Sequence, residues 1–434
     1  MKKQKQNWTY LFSANFFGIL NDNFLKNCVV FIGIGWTLPA WLNLSQLTTL
    51  VAAGLVIPFL FFSPLSGKIA VKYSKQAVFR WCKIAEFPIV FLACIAFWQQ
   101  WIWLALFSVL LMGIQSCLYS PSKYGLIRDI GGEEGVSFGS GIFETMAFLG
   151  ILTGTVAAGF IADNRGIIVT IFEVIFRGTT TFKENHNFDF EVCALLLIFA
   201  GAAYLFVRNI KVEELPLEEN KDTSINPIRF LKQSYLFAKE YPGINIGVFG
   251  VAMFWLMGAL IQMNLVIHCL QTLLISRSTA GIVMAIAAIG IALGCTLAGK
   301  LSRKKINTRL IFIGLTGMIL ILLFVVLFNP NVYLFTACIF LLTVMGGLFE
   351  VPCLALVQRA NTGRKLGDML AYMNFVIFIF VLVGSLIFSI ITYLTNENSI
   401  IVFATILVLC VITMCVMLKK RELKESGSNE KEYF

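Results

Sequence analysis

The chain has 434 residues, of which 58% are hydrophobic and only 13% are charged, and its formal net charge is +10. Its mean hydropathy is +0.82. Because soluble domains carry about 25% charged residues, this composition excludes a water-soluble globular protein. The eleven cysteines include no C-x-x-C pair and are accompanied by only two histidines, His186 and His268. This pattern indicates neither a disulfide framework nor a metal site, and we expect no cofactor.

Apolar segments recur through almost the whole chain. A membrane-spanning helix needs about 20 mostly apolar residues, and twelve windows of that kind predict an all-α membrane protein with twelve transmembrane helices. Met1 to Gln6 is basic, but no small-residue cleavage site follows, so we expect the first helix to stay in the mature protein. The predicted spans are residues 8–35, 46–67, 77–98, 101–122, 138–161, 190–208, 244–270, 279–299, 309–328, 331–357, 367–393 and 399–418.

Two connections between predicted helices are long. Asp163 to Asp189 separates helices 5 and 6, and its apolar stretch Ile167 to Phe176 is expected on the outer membrane surface or in a periplasmic contact. Arg208 to Gly243 is charged and divides the helices six and six. The predicted parts are a first six-helix bundle at 1–208, a cytoplasmic linker at 209–243, a second bundle at 244–420 and a cytoplasmic tail at 421–434.

The basic residues predict the orientation in the membrane. Of the 34 Lys and Arg residues, 29 lie at the two termini and in the loops that follow even-numbered helices, counted with the adjoining helix ends; four lie on the opposite side, and Lys26 lies inside helix 1. Cytoplasmic loops are enriched in Lys and Arg, so both termini are expected in the cytoplasm. Attraction to the anionic inner leaflet accounts for the positive charge, and no nucleic-acid partner is expected.

The two halves of the sequence repeat each other. Gly67 at the end of helix 2 matches Gly299 at the end of helix 8, 232 positions later, and Pro121 in helix 4 matches Pro352 in helix 10. A parallel repeat of six helices joined by a linker is typical of major facilitator transporters. We therefore expect a major facilitator fold of two six-helix bundles.

The loop after helix 2 resembles a loop motif of the same superfamily, in which a glycine, an acid and basic residues surround a turn. Val71 stands where that motif usually has an aspartate. We predict a gating role for this loop and for its counterpart after helix 8; the alternative is a basic loop that only sets orientation. The predicted gating residues are Gly67, Lys72, Lys75, Gly299 and Lys300.

Charged side chains inside a bilayer are costly, so those that persist are candidates for function. Asp22 and Lys26 lie four residues apart near the middle of helix 1, on one helical face. Asn21, Asn23 and Asn27 surround them. We predict a site for a headgroup or a proton, and the alternative is an internal ion pair that lowers the cost of insertion.

Three other predicted helices carry interior charges. Lys83 and Glu86 in helix 3 are three residues apart, close enough to pair, and we interpret them as structural. Glu144 in helix 5 and Glu350 in helix 10 are predicted to face a central cavity, with pairing to cations at the cytoplasmic end as the alternative. Pro352 is expected to break the helix beside Glu350 and to free backbone groups for hydrogen bonding.

The run from Tyr119 to Gly125 ends predicted helix 4 and combines a proline, hydroxyls, Lys123 and the aromatic rings of Tyr119 and Tyr124. Such a run suits an anion such as phosphate, and the alternative is an anchor at the membrane interface. The sequence has no H-E-x-x-H or P-loop motif. We therefore do not expect an enzyme.

Several of these motifs together resemble the lysophospholipid transporter family, a branch of the major facilitator superfamily. They are the L-N-D-N run at 20–23, the S-P-x-K-Y-G run at 120–125, which is the most specific, and the run at 345–352. The resemblance covers most of the helices. It implies inward movement of lysophospholipids, chiefly lysophosphatidylethanolamine, across the bacterial inner membrane, with re-acylation by a partner acyltransferase.

The resemblance also implies a polar pocket at Asp22, Lys123 and Glu144. Two positions depart from the family: Gln262 replaces an arginine and Ile377 replaces a glutamate. Joint loss of an ion pair would explain both, so headgroup recognition or gating is expected to differ. The predicted substrate-binding residues are Asp22, Asn23, Lys26, Lys123, Tyr124, Glu144, Gln262, Glu350 and Asn374.

Three functions remain open from the sequence. The first is a monomeric lipid flippase that works by alternating access. The second is a facilitator-type porter of another amphiphile or small solute, such as a siderophore, nutrient or drug, and the third is a receptor or scaffold that transports nothing. Lipid entry needs an apolar track beside the polar one, and the scarcity of polar residues outside helix 1 and the cytoplasmic ends favours a lipid.

Overall fold

The computed structural model describes residues 2–42, 44–163, 190–214, 224–302 and 306–427. Within these ranges every regular element is a helix. The predicted outer loop, apart from Asp163, lies outside the described residues, as does His186.

The described α-helices are numbered here in chain order. They are α1 (Lys2–Phe31), α2 (Leu44–Lys72), α3 (Lys75–Gln99), α4 (102–131), α5 (133–163), α6 (Phe190–Arg208), α7 (Pro227–Glu240), α8 (Ile244–Ile267), α9 (Arg277–Ser302), α10 (Arg309–Phe328), α11 (Val332–Arg359), α12 (Leu366–Leu394) and α13 (Ser399–Gly427). Eleven stretches are long and apolar enough to cross a membrane, and the longest, Ile102–Asp163, contains both α4 and α5. The prediction of twelve transmembrane helices is therefore confirmed.

The connection between α4 and α5 differs from the prediction. The apolar windows left residues 123–137 as a loop, whereas both helices continue into it and meet at Gly132. Gly132 has φ 61° and ψ −169°, a conformation that only glycine adopts without strain. Hydropathy marks where a helix enters lipid, but hydrogen bonding continues the helix beyond that point until a residue breaks it.

The helix break expected at Pro352 is wrong. α11 runs without interruption from Val332 to Arg359, and α4 likewise continues through Pro121. α11 packs against α8, α9 and α10, and close neighbours can satisfy the backbone groups that a proline leaves unbonded in a membrane helix.

The linker contains a helix that the apolar windows did not predict. α7 is 14 residues long, and its buried residues Phe230, Ser234 and Ala238 are spaced four apart. That spacing places them on one helical face. The helix is therefore amphipathic and too short to span a bilayer.

The chain forms two compact units. Unit 1 consists of Met1–Leu126 and Leu149–Pro227, and unit 2 consists of Ile127–Phe148 and Ile228–Phe434. These units follow the predicted bundles along most of the chain but assign 127–148 to the second. The predicted bundle boundaries at 208 and 244 stay a prediction.

Each unit has its own helix packing. In unit 1, α6 packs against α1 and α3, and the core includes the fully buried side chains of Phe24 and Phe97. In unit 2, α11 contacts α9, α10 and α8, while α12 contacts α8. The buried segment of α11 carries Glu350 into the interior of unit 2.

Candidate functional site

Asp22 lies in the membrane-spanning part of α1, close to a serine of α4. The Ser116 hydroxyl donates to Asp22 Oδ2 at 2.7 Å, while Asp22 Oδ1 is buried and accepts no hydrogen bond from the residues that the structure describes. Lys26 donates to Asn23 Oδ1 at 2.9 Å. Asp22 and Lys26 attract each other electrostatically, while the hydrogen bonds of their charged groups go to Ser116 and Asn23.

Lys83 and Glu86 of α3 are the most completely buried charged residues that the structure describes in unit 1. Their side chains are fully buried, with Nζ 2.5 Å from Oε2, which confirms that the two residues pair. Asn21 of α1 donates to Glu86 Oε1 at 2.6 Å, and Gln115 of α4 donates to Glu86 Oε2 at 3.3 Å. The pair is thus the centre of a hydrogen-bond network that joins three helices.

Gln115 and Ser116 were not among the predicted site residues. Ser116 contacts Asp22, Gln115 contacts Glu86, and the Ser116 hydroxyl lies 3.3 Å from Gln115 Oε1. These two residues therefore connect the Asp22 carboxylate to the Lys83–Glu86 pair. Two adjacent polar residues in the middle of an apolar helix were the sequence signal that could have revealed them.

Lys123 lies on α4 of the same unit, and its ammonium group contacts two aromatic rings. Its Nζ is 5.4 Å from the centre of the Tyr119 ring and 5.5 Å from that of Tyr124, and it donates to Asn15 Oδ1 at 3.3 Å. Lys83, Glu86 and Lys123 all interact electrostatically with Asp22. Unit 1 therefore places a half-buried acid, Asp22, and a buried cation, Lys123, of the predicted site in one polar region.

The predicted acids of the other half lie in unit 2. Glu144 on α5 and Glu350 on α11 are both buried and repel each other electrostatically. The Cys295 thiol of α9 lies 3.9 Å from Glu350 Oε2. The structure thus brings two acids and a thiol together in unit 2.

The remaining predicted binding residues occupy different environments within unit 2. Gln262 on α8 is exposed, whereas Asn374 on α12 is buried. Ile377, one turn beyond Asn374, is also buried. The two departures from the family pattern therefore do not share one environment, and the structure gives no reason to treat them as the remnant of one pair.

The predicted gating residues of unit 1 surround the turn between α2 and α3. Gly67 is buried in α2, Lys72 is exposed, and Lys75 begins α3 with a buried side chain. The Lys75 side chain packs against Gly125 of α4, where an added Cβ would lie 3.0 Å from Lys75 Cδ. This turn therefore packs closely on α4.

A linker residue, Glu214, caps the start of α3. It accepts hydrogen bonds from the Ser74 hydroxyl at 2.7 Å, from Lys75 N–H at 2.8 Å and from Gln76 N–H at 3.0 Å. Burial alone would raise the pKa of the Glu214 carboxyl, but these hydrogen bonds outweigh it and hold the pKa below its ordinary value. Gln76 also exchanges two hydrogen bonds with the Val212 backbone, so this part of the linker is fixed to unit 1.

The predicted gating residues of unit 2 lie near the end of α9. Lys300 is exposed, and Gly299 is buried against Gly141 of α5. A Cβ on Gly141 would lie 2.8 Å from the Gly299 Cα, too close for any side chain. Only glycine at these positions permits α5 and α9 to approach so closely.

Comparisons with known families agree on one class of protein. The sequence pattern of the Major Facilitator Superfamily matches residues 42–304 and 246–433. The lysophospholipid transporter of Pectobacterium carotovorum is 23% identical over 366 residues, covering 83% of this chain and 80% of that protein. That of Serratia proteamaculans is 25% identical over 369 residues, with coverage of 83% and 82%. These relatives confirm the predicted resemblance to the lysophospholipid transporters.

Solved structures share the fold. The human organic anion transporter MFSD10 superposes with a TM-score of 0.72 at 14% identity, covering 94% of this chain and 99% of that protein. A bacterial homologue of the iron transporter ferroportin gives a TM-score of 0.67 at 15% identity, with coverage of 96% and 99%. At this level of identity the likeness concerns the fold alone.

Proposed function

The chain belongs to the Major Facilitator Superfamily, and we propose that this multi-pass transporter moves lysophospholipids, chiefly lysophosphatidylethanolamine, from the outer to the inner leaflet. One observation carries the proposal: within unit 1, half-buried Asp22 and buried Lys123 interact electrostatically and belong to one polar region. The curated relatives are named for lysophospholipid transport, which supports the same substrate class.

The polar region of unit 1 is complementary to a phosphoethanolamine headgroup. Asp22 Oδ1 is a buried acceptor without a donor from the described residues, and an ammonium N–H would satisfy it. The Lys123 ammonium is suited to the phosphate, since both contacts are charge-assisted hydrogen bonds. Asn23 and Tyr124, beside these two residues, would complete the headgroup contacts, while the single acyl tail remains in lipid between helices.

The depth of Asp22 supports movement of the headgroup through the membrane interior. The apolar stretch of α1 runs from Gln4 to Gly35, so Asp22 lies roughly 20 Å from the Gly35 end at 1.5 Å per residue. A site near the bilayer midplane is where facilitators bind their substrates. We propose alternating access around this site.

We further propose that the protein acts as a monomer in a bacterial inner membrane, with both termini in the cytoplasm and an acyltransferase as its functional partner. The orientation rests on the distribution of Lys and Arg. Impermeant thiol labelling of Asn185→Cys in intact cells tests it, with Ser426→Cys as the matched control. Labelling at 426 and not at 185 would reverse the orientation.

Uptake into spheroplasts that lack an endogenous lysophospholipid transporter tests the substrate. Spheroplasts expressing the protein should accumulate labelled lysophosphatidylethanolamine faster than empty-vector spheroplasts, and the recovered lipid should be chemically unchanged when the acyltransferase is absent. Equal uptake in the two preparations, together with saturable uptake of a water-soluble solute, would replace the proposal with the small-solute porter.

A further inference from the structure

Unit 1 contains more buried charge than the proposed headgroup contacts use. Lys83 and Glu86 are fully buried and paired at 2.5 Å, and Glu86 lies near the midpoint of the 25-residue helix α3. A buried ion pair is weak evidence for stability, because desolvation offsets much of the attraction between the charges. Stability alone therefore does not explain why this pair is present beside Asp22.

Glu86 is held in place by donors from two other helices. Asn21 Nδ2 donates to Oε1 at 2.6 Å, and Gln115 Nε2 donates to Oε2 at 3.3 Å. Gln115 Nε2 also donates to the Cys82 carbonyl at 3.0 Å, which fixes the amide group. The Glu86 carboxylate consequently has a defined position in which it faces Lys83.

The Lys83 ammonium group is also held by close contacts with other helices. An added Cβ on Gly18 of α1 would lie 2.8 Å from Lys83 Nζ, so the ammonium group packs directly against α1 at this glycine. The Tyr119 ring lies 5.0 Å from Nζ on another side, and Phe79 stacks on that ring at 5.0 Å. The pocket therefore holds the cation beside Glu86.

Asp22 is the other carboxylate that Lys83 could pair with. The two side chains interact electrostatically, yet no ion pair joins them within 4.0 Å in the described part of the chain, and Asp22 binds Ser116 instead. Lys83 attracts the Asp22 charge while Glu86 repels it. Because the two are paired, the Glu86 charge opposes the effect of Lys83 on Asp22.

We propose that Lys83 and Glu86 are positioning residues: Glu86 retains the Lys83 ammonium so that the Asp22 carboxylate stays available to a cationic headgroup. The assignment of Asp22 to a headgroup rests on the proposed function. Loss of Glu86 alone would allow Lys83 to neutralise Asp22 from within the protein. Loss of both charges would leave Asp22 available again.

The charge at position 22 is measured without any substrate by replacing Asp22 with cysteine. Cys82, Cys94 and Cys415, the described cysteines that are not buried, are first replaced by alanine. The reaction rate of the Asp22→Cys thiol with a small methanethiosulfonate reagent then reports its thiolate fraction, because the thiolate is the reactive form.

Three backgrounds give distinct expectations for the Asp22→Cys thiol. Glu86→Gln should raise its reaction rate about tenfold, the effect of roughly 1.4 kcal/mol of stabilisation of the thiolate. Lys83→Met should slow the reaction, since the Glu86 anion is then uncompensated. Combined Lys83→Met and Glu86→Gln should return the rate to that of the parent. Because the single variants act in opposite directions, either one that folds tests the proposal.

Lysophosphatidylethanolamine uptake by variants that retain Asp22 gives the second readout. Glu86→Gln should reduce uptake per folded protein about tenfold, and the double variant should transport better than Glu86→Gln alone. Equal thiol reactivity in all backgrounds, or a double variant no better than Glu86→Gln, would overturn the positioning role. If the wild type transports no lysophospholipid while the thiol pattern holds, the proposed function fails and the charge assignment stands.

Discussion

The two units bury carboxylates in different ways. In unit 1, Glu86 faces a lysine and accepts hydrogen bonds from two side-chain amides. In unit 2, Glu350 lies beside a second acid, Glu144, and accepts hydrogen bonds from the Cys295 thiol and the Trp255 side chain. No cation acts on Glu350 in the part of unit 2 that the structure describes.

This difference separates two uses of a buried acid. A carboxylate that is paired and hydrogen-bonded fixes the arrangement of its neighbours, because breaking the pair leaves an uncompensated charge. A carboxylate beside another acid is held at an energetic disadvantage, since like charges disfavour each other. We therefore expect substitutions in the two units to affect stability in opposite directions.

The largest expected effect on stability is at Lys83. Lys83→Met should lower the free energy of unfolding by about 3–5 kcal/mol, because Glu86 would remain buried without its cation. Thermal unfolding of the purified protein in detergent measures it. The double variant Lys83→Met/Glu86→Leu should recover most of the loss; a double variant as unstable as the single one would show that packing, not charge, is the cause.

Asp22→Asn should reduce lysophospholipid uptake per folded protein by about tenfold to a hundredfold, the effect of losing one charge-assisted hydrogen bond of roughly 1.5–3 kcal/mol. Because the substitution is isosteric and Ser116 can still donate to the amide oxygen, the melting temperature should change little. Initial uptake rates normalised to expression measure the effect. Normal transport by the variant would exclude Asp22 from headgroup binding.

Glu214→Gln should weaken the start of α3 by about 1 kcal/mol, the typical effect of losing a helix cap. Because the hydrogen bonds lower the pKa of Glu214 in the folded protein, its contribution is complete above the ordinary glutamate value of 4.5 and is lost as the pH falls below it. Hydrogen exchange of residues 75–78 should therefore accelerate in the variant at pH 7. The wild type and the variant should converge as the pH falls below 4.5, and a constant difference would show that the carboxylate charge is not the cause.

The smallest expected effect is at Glu350. Glu350→Gln should leave the free energy of unfolding unchanged or raise it by up to about 1 kcal/mol, since the amide keeps the shape of the carboxyl group and cannot carry a charge beside Glu144. Thermal unfolding of Glu350→Gln is measured in parallel with that of Glu86→Gln, the matched control. The two changes in unfolding free energy compare the buried acids of the two units. A loss in Glu350→Gln as large as that in Glu86→Gln would show that the two units bury acids in the same way.

Local patterns predicted much of this molecule. The windows at 190–208 and 309–328 coincide with α6 and α10, because a run of apolar residues between charged ends leaves one way to satisfy the backbone in lipid. The Lys83–Glu86 pair followed from i, i+3 spacing on one helix. The i, i+4 spacing of Asp22 and Lys26 allowed a direct pair as an alternative, but it did not reveal their hydrogen-bond partners, which are Ser116 of another helix and Asn23.

The sequence by itself determined the membrane class, the twelve helices and the superfamily, since hydropathy, repeat and motifs are properties of consecutive residues. Tertiary structure alone decided that Gln115 contacts Glu86, that Ser116 contacts Asp22, and that Glu214 caps α3. These contacts link residues from 29 to 140 positions apart. Which partner a buried polar group selects depends on how neighbouring helices are rotated and spaced, and no local pattern specifies that arrangement.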